Sequence, residues 1–387
     1  MLLYPFKPFN SPIAQERIKN GKQFGDPFKN VKENYMNYDV VISNVGSHVF
    51  LELLNPELIQ DFYGSNQHLT FQKIPVFVTI LGSYIGNGLL FAEGEEWKKK
   101  KKILTNVFNH DFIVNLIPQI EEICESSMKN IEDKYEKTDY KFEMIELTTT
   151  IFSRIVIECF FGFESANELI NGKSIAENMR DLLAIIYKLR SDLMIYFLGA
   201  KVVKLGLRKN HRKLKKEIKI FREWGLNFVK RRIKTIEDNL EEVKKKKSKD
   251  MIEIFIVNNN LSKGSSEGYD ESQILEEFML FFLAGTETTS NFVQVMVDYI
   301  AKNPKIETKL REEIDAKMPS EDYTLEKLKE MKYIECLQKE TSRIFGPTTT
   351  ILPRVATKDC FLKGIPVKKG TYLTPRFNAN YFSEKYF

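Results

Sequence analysis

The sequence predicts a mainly α-helical fold with small β elements, and three observations lead to that prediction. Apolar residues recur at every third or fourth position, as in amphipathic helices, in four long stretches: residues 120–128, 151–161, 182–198 and 214–236. A further stretch, residues 273–301, is apolar on nearly every side. After Phe345, prolines divide the chain into short segments rich in β-forming residues.

We expect the 387 residues to form a single domain with three parts. Residues 1–54 are predicted to be an N-terminal segment with short β elements, residues 55–345 the helical bulk, and residues 346–387 a small β or extended segment. The composition, 43% hydrophobic and 29% charged, is that of an ordinary globular protein with a sizeable core.

The N-terminal segment predicts a β-hairpin followed by a helix. The β-forming residues between positions 40 and 51 are interrupted by Gly46 and Ser47, as in a hairpin turn. The next residues, Asn55-Pro56-Glu57, predict a helix start, because asparagine can cap a helix and proline suits its first position.

The most apolar helix is predicted to follow the clearest linker, residues 258–270, whose Asn, Ser and Gly content does not form a packed core. Asp270 and Gln273 have the spacing of a capping box. Because the helix is apolar nearly all round, we expect it to run through the protein interior. In the last segment, strand-like pieces are predicted at residues 349–352 and 360–362.

Residues 284–290 of that apolar helix, AGTETTS, contain a glycine, a carboxylate and four hydroxyls. These residues are locally unfavourable in a buried helix. Glycine weakens the helix and a threonine hydroxyl can bond the carbonyl one turn back, so a kink that opens a pocket is predicted. The simpler alternative is a transmembrane or core helix that tolerates a polar patch, but the apolar run is too short to span a bilayer and the patch is too concentrated.

Two further groups carry charge. Trp97 precedes five lysines at 98–102, a pattern that is ordinarily a solvated surface. On a helix, however, Trp97 and Lys101 share one face and could bind a single anion. Glu340 and Arg343 lie three residues apart, and by themselves they predict only an exposed helix pair.

Several classes of protein are disfavoured. The 58 basic and 53 acidic residues nearly cancel, so no nucleic-acid-binding signature follows. Four widely spaced cysteines argue against disulfides or a zinc site and favour buried structural thiols in a reducing compartment: Cys124, Cys159, Cys336 and Cys360. The first residues lack the apolar core of a signal peptide, and no stretch is long enough to span a bilayer.

Three of these motifs, in this order, resemble those of the cytochrome P-450 family, the haem-thiolate monooxygenases. The segment GEEWKKKKK resembles the family's Trp-x-x-x-Arg segment, AGTETT its oxygen-binding helix motif, and ETSR its Glu-x-x-Arg motif. The later segment PRVATKDCFLKGIPVKKGT also agrees in spacing and residue type. The resemblance runs from about residue 54 to the C-terminus and implies a cytochrome P-450 fold.

The resemblance implies a role for each matching residue. Glu287 and Thr288 would be the acid–alcohol pair that governs proton delivery during oxygen activation. Ala284 and Gly285 would line the oxygen pocket.

The other matching residues would hold the cofactor or the core. Trp97 and Arg354 would contact haem propionates, as would Lys101, which replaces the usual arginine and lacks its bidentate geometry. Glu340 and Arg343 would be structural, on the proximal side of the haem.

One departure from the family is a missing ligand. The family holds its iron through a cysteine in a Phe-x-x-Gly-x-Arg-x-Cys loop after Glu-x-x-Arg. That loop does not occur before Phe387, and none of the four cysteines suits the role. We therefore expect a cytochrome P-450 truncated at its C-terminus, with its metal ligand beyond Phe387. The arginine segment that would complete a triad with Glu340 and Arg343, and the N-terminal membrane anchor, are expected to be missing too.

The resemblance implies a haem-dependent monooxygenase that inserts oxygen from O2 into an apolar small-molecule substrate. A flavoprotein reductase would supply electrons from NADPH to the haem (iron protoporphyrin), and the lysines at 98–102 could help to dock it. The missing cysteine argues against activity of the chain as written. The expected location is the cytosolic face of the endoplasmic reticulum membrane.

Two alternatives compete with this hypothesis. Gly172-Lys173-Ser174 is similar to the end of a phosphate loop, but Asn167 stands where that loop requires glycine. A non-catalytic membrane-surface or scaffold protein is the stronger alternative. Between Lys201 and Lys219 there are nine basic residues and one acid, next to the apolar residues 193–198, which favours a peripheral membrane contact in either case.

Overall fold

The structure is a computed structural model, and it describes residues 2–3, 38–45, 48–64, 70–73, 82, 85–136, 144–162, 168–189, 201–258, 268–319, 323–346 and 353–377. The chain divides into two compact units, residues 1–78 with 339–387 and residues 79–338. The single-domain organisation and the bounds of its three parts remain predictions.

The described strands are short. In chain order they are β1 (Leu2–Leu3), β2 (Val40–Val45), β3 (His48–Leu53), β4 (Phe71–Lys73), β5 (Leu169–Ile170), β6 (Lys173–Ser174), β7 (Arg354–Ala356), β8 (Cys360–Leu362), β9 (Ile365–Val367) and β10 (Tyr372–Pro375).

Helices account for most of the described chain, as predicted. In chain order they are α1 (Pro56–Phe62), α2 (Gly94–Val107), α3 (His110–Asn115), α4 (Ile117–Tyr135), α5 (Met144–Phe161), α6 (Ile175–Leu189), α7 (Lys201–Leu205), α8 (Lys209–Asp238), α9 (Leu240–Lys245), α10 (Met251–Val257), α11 (Glu271–Lys302), α12 (Pro304–Lys317), α13 (Leu325–Glu330) and α14 (Lys332–Ile344). Within the described ranges, each helix is too short or too polar to cross a membrane.

The first unit is built on a six-stranded sheet in the order β1-β2-β3-β10-β7-β4. β2 and β3 form the predicted antiparallel hairpin, in which Val45 lies opposite His48. β3 also pairs in parallel with β10, so the sheet joins the two ends of the chain. Apolar side chains from both ends, such as Leu53 and Leu373, share one core.

Local signals in the first unit are confirmed where the structure describes them. The Asn55 side chain caps α1 by accepting hydrogen bonds from the backbone N–H groups of Glu57 and Leu58. The predicted strand at residues 360–362 is β8, which pairs with β9. The strand predicted at residues 349–352 lies outside the described residues.

The second unit is organised around α11, which packs along α5 and α8. Its predicted capping box is confirmed: Asp270 Oδ1 accepts from the Gln273 N–H, and Gln273 Oε1 accepts from the Asp270 N–H. The predicted periodic stretches fall within α4, α5, α6 and α8, although α6 ends at Leu189 and residues 190–200 are not described.

The linker prediction is wrong at Tyr269. This side chain is 2% exposed, and its ring stacks on that of Phe255, with 5.1 Å between centroids. A large aromatic residue next to polar linker residues can join the core when its hydroxyl finds a buried partner, which here is Glu277. Residues 259–267 of the predicted linker are not described.

Candidate functional site

The AGTETTS segment lies at the position in α11 where burial changes. Most residues from Ile274 to Phe282 are buried, whereas Ala284 is exposed and its neighbours Gly285, Glu287 and Thr288 are partly exposed. Thr286 differs, because it is only 5% exposed and its hydroxyl has no hydrogen-bond partner among the residues that the structure describes. A buried hydroxyl without a partner is costly and often marks a functional position.

Hydroxyl groups in this segment bond back to the helix. Thr288 Oγ1 donates to the Ala284 carbonyl, as expected from its spacing, and Ser290 Oγ donates to the Glu287 carbonyl at 3.1 Å. The helix continues without interruption from Glu271 to Lys302, including the residues that make these bonds. The predicted kink at Gly285, and the pocket it would open, remain predictions.

On α2, Trp97 and Lys101 lie together on one face, which confirms the geometric prediction. The Lys101 ammonium is 4.8 Å from the centroid of the Trp97 ring. Lys101 is exposed and Trp97 is partly exposed, so the indole N–H and the ammonium are both suited to binding an anion.

The interpretation of residues 98–102 as a solvated run is wrong for Lys100. Its side chain is almost fully buried, and its ammonium donates to the Asn87 carbonyl and to Glu277 Oε1. One sequence signal could have identified it. Lys100 is in helical phase with Ile103, Leu104 and Val107, which are also buried.

The Glu340–Arg343 pair forms as predicted at the end of α14. Arg343 Nε lies 2.7 Å from Glu340 Oε2, and Arg343 Nη2 bonds Glu340 Oε1. The hydrogen bond from Arg343 holds the pKa of Glu340 below its usual range. The structural role of the pair beside a haem remains a prediction.

Arg354 is partly exposed on β7, where it lies opposite Lys73 of β4 and Leu373 of β10. The positive charge of Arg354 affects the pKa of the nearby Tyr63 hydroxyl. Burial raises the pKa of Tyr63 to about 12, and the Arg354 cation opposes that rise. The propionate contact of Arg354 remains a prediction.

The cysteines differ in solvent exposure, although all four were predicted to be buried. Cys336 is exposed, and Cys124 and Cys360 are half-buried. Cys336 falls on the solvent side of α14, so the prediction of a buried thiol is wrong there. Only Cys159 is fully buried, and burial raises its pKa to about 12. Burial also raises the pKa of Cys124 and of Cys360.

These observations test whether the chain fits a haem. The donors of Trp97 and Lys101 suit a propionate, and the exposed Ala284, with its small side chain, leaves space beside α11 for a ligand. The expectation that none of the four cysteines holds the iron remains a prediction. In the metal-free chain, burial favours the neutral thiol in three of them, Cys124, Cys159 and Cys360.

The Gly172-Lys173-Ser174 segment forms a tight turn. Gly172 joins β5 to β6 with a φ of 76°, and the Lys173 ammonium lies 2.6 Å from Asp181 Oδ2. Ser174 and Glu177 bond to each other at the start of α6. The lysine and the serine are therefore engaged in local structure, in agreement with the rejection of a phosphate loop.

Comparison with known proteins agrees with the motifs. Rat (Rattus norvegicus) cytochrome P-450 3A18 is 24% identical over 340 residues, which are 85% of this chain and 64% of that protein. Cytochrome P-450 94A1 of Vicia sativa is 25% identical over 327 residues, 83% of this chain and 60% of that protein. The chain thus spans about three-fifths of the length of the curated relatives it matches.

The fold is also that of a known structure. A crystal structure of a cytochrome P-450 (CYP102L1) superposes with a TM-score of 0.73 at 17% identity, covering 92% of this chain and 75% of that one. The family model for cytochrome P450 matches residues 7–387. The chain therefore belongs to the cytochrome P-450 family.

Proposed function

We propose that this chain is part of a haem-dependent monooxygenase that inserts oxygen from O2 into an apolar organic substrate. The observation that carries the proposal is the AGTETTS segment of α11, where an exposed alanine, a carboxylate and several hydroxyls interrupt a buried apolar helix. A bound haem would supply an iron centre at which O2 is reduced. An iron-ligating cysteine is expected to come from outside the four cysteines described above.

The chain's own residues would bind the cofactor and manage protons. The Trp97 indole N–H and the Lys101 ammonium would bind one propionate, and Arg354 would be a further propionate partner. Ala284 and Gly285 would leave room for O2. The Thr288 hydroxyl, now bonded to the Ala284 carbonyl, would donate a proton to reduced oxygen, and Glu287 would supply that proton in turn.

Electrons would come from NADPH through a flavoprotein reductase. We place the protein at the cytosolic face of the endoplasmic reticulum membrane, in peripheral contact with lipid. Leu205 is 70% exposed beside the basic N-terminal end of α8, and an apolar side chain next to lysines and arginines suits an anionic bilayer surface.

The decisive experiment measures coupling in a haem-loaded protein that includes this chain. Thr288→Ala is expected to raise the peroxide released per NADPH consumed, because a proton donor is lost. Thr289→Ala, which removes the neighbouring hydroxyl, is the matched control and is expected to stay coupled. Unchanged coupling in Thr288→Ala would remove that residue from the mechanism, and lipid binding without haem uptake would favour the scaffold alternative.

A further inference from the structure

Lys100 is buried in the second unit, where its ammonium has several polar partners and lies 5.5 Å from the centroid of the Tyr269 ring. Its ammonium lies 2.6 Å from the Asn87 carbonyl and 3.4 Å from Glu277 Oε1. Glu96 and Glu276 are close enough for ion pairs, at 3.8 and 4.0 Å. An ammonium is expensive to bury, so a lysine retained here must be held in place by these groups.

Glu277 is the centre of this cluster. It is fully buried, and its two carboxylate oxygens accept from the Leu89 N–H at 3.1 and 3.0 Å. The Tyr269 hydroxyl donates to Oε1 at 3.1 Å. A single side chain of α11 therefore holds three separate pieces of chain: the turn at residues 86–92, α2 through Lys100, and the residue before the capping box.

Two glycines bring the turn onto α11. A Cβ at Gly88 would lie 3.0 Å from Leu280 Cδ2 and 3.3 Å from Glu277 Oε2, and a Cβ at Gly86 would overlap the Glu276 side chain. Gly86 also has a φ of 95°, which side chains rarely adopt. The turn leads directly into α2, so its position on α11 determines where α2 begins.

We propose that Lys100 and Glu277 are positioning residues, which fix α2 on α11 so that Trp97 and Lys101 are held ready to bind a carboxylate of the cofactor. This inference rests on the proposed function. Trp97 precedes Lys100 by about one helical turn, and Lys101 follows it directly. The buried ion pair therefore sets the rotation of α2 about its axis and its position along α11, and with them the positions of Trp97 and Lys101. Apolar residues could stabilise the contact equally well, but they would not specify its register as narrowly.

The chain's two tryptophans make a sharp test possible, because a Trp224→Phe background leaves Trp97 as the sole tryptophan, whose emission can be excited selectively over that of tyrosine. In that background, Lys100→Met and Glu277→Gln are compared with Arg232→Met, which breaks a different buried ion pair, with Asp250. Glu277→Gln keeps the side-chain shape and is the variant to rely on if Lys100→Met does not fold. The readouts are hydrogen exchange at the Leu89 amide, Trp97 emission, and quenching of that emission by added haemin.

For Lys100→Met and Glu277→Gln, we expect Leu89 exchange to be faster and haemin binding to be weaker by about tenfold each, as for loss of an interaction of 1.4 kcal/mol. Trp97 emission is expected to shift. Arg232→Met is expected to lower global stability without changing the Leu89 or Trp97 readouts.

The positioning role would be overturned if Lys100→Met and Glu277→Gln lowered global stability, as Arg232→Met does, but left Leu89 exchange and Trp97 emission unchanged. If added haemin did not quench Trp97 emission in the parent protein, that result would count against the proposed function. Changed Leu89 and Trp97 readouts would support the positioning role even in that case.

Discussion

Val156 of α5 occupies the space that a side chain at Gly285 of α11 would need, because a Cβ at Gly285 would lie 2.9 Å from Val156 Cγ2. Cβ atoms in real structures almost never come so close to another atom. The glycine of the AGTETTS segment therefore allows two long helices of the second unit to pack directly on each other. This packing explains the residue independently of its predicted place in an oxygen pocket.

Gly285→Ala should destabilise the protein despite the better helix propensity of alanine. The gain in propensity is about 1 kcal/mol, whereas overpacking a core costs about 1–3 kcal/mol. Denaturant unfolding of Gly285→Ala, Val156→Ala and the double variant measures the coupling. We expect the double variant to lose less stability than the sum of the single variants, and strict additivity would contradict the contact.

A second prediction concerns pH and the buried Asp250, which pairs with Arg232 Nη2 at 2.5 Å. Burial, with a contribution from Glu253, raises the pKa of Asp250 from 3.8 to about 6, and Arg232 opposes that rise. The native state therefore takes up a proton at higher pH than the unfolded chain. The stabilisation from this group is present below about pH 4 and is lost as the pH rises toward 6.

Asp250→Asn should flatten this part of the curve of unfolding free energy against pH. Asparagine also caps helices well, so α10 should keep its N-terminus. Urea unfolding between pH 4 and 7 measures the slope, and Asp111→Asn on the exposed start of α3 is the control. Equal slopes in Asp250→Asn and the parent would rule out the titration of Asp250 as the cause.

The cysteines should differ sharply in reactivity. Cys336 is exposed, whereas Cys159 is buried with a pKa raised to about 12 by that burial. Because the thiolate is the reactive form, iodoacetamide at pH 8 should modify Cys336 within minutes and Cys159 only when the protein unfolds. Peptide mass spectrometry over time checks this, and early labelling of Cys159 would mean that α5 opens readily.

If the proposed reductase docks on α2, its exposed lysines should steer the encounter. Lys98→Glu with Lys102→Glu should slow association about tenfold at low salt, and the difference should fade as salt rises. Lys100 is left unchanged because it is buried. Lys305→Glu with Lys309→Glu, on exposed positions of α12, is the control. Stopped-flow rates that fall equally in both pairs would indicate a general charge effect rather than a docking surface.

Features that depend on neighbouring residues could be predicted from the sequence. The Asn55 cap, the Asp270–Gln273 capping box and the Trp97–Lys101 contact each involve residues at most four positions apart. Their geometry is set by the helix itself. Features that depend on the packing of distant segments were missed or wrong. The buried Tyr269 and the exposed Cys336 are both of this kind.

The sequence by itself determined the helical class, the helix boundaries near caps, and the three ordered motifs that identify the family. The helical phase of Lys100 could indicate which of the five consecutive lysines faces the core, but only the tertiary structure supplied the partners that allow its charge to be buried. Lys100 and Glu277 are separated by 177 residues, so their ion pair exists only after α2 and α11 have packed. Composition and periodicity describe which face of a helix is apolar, but burying a charge depends on a partner that another helix supplies.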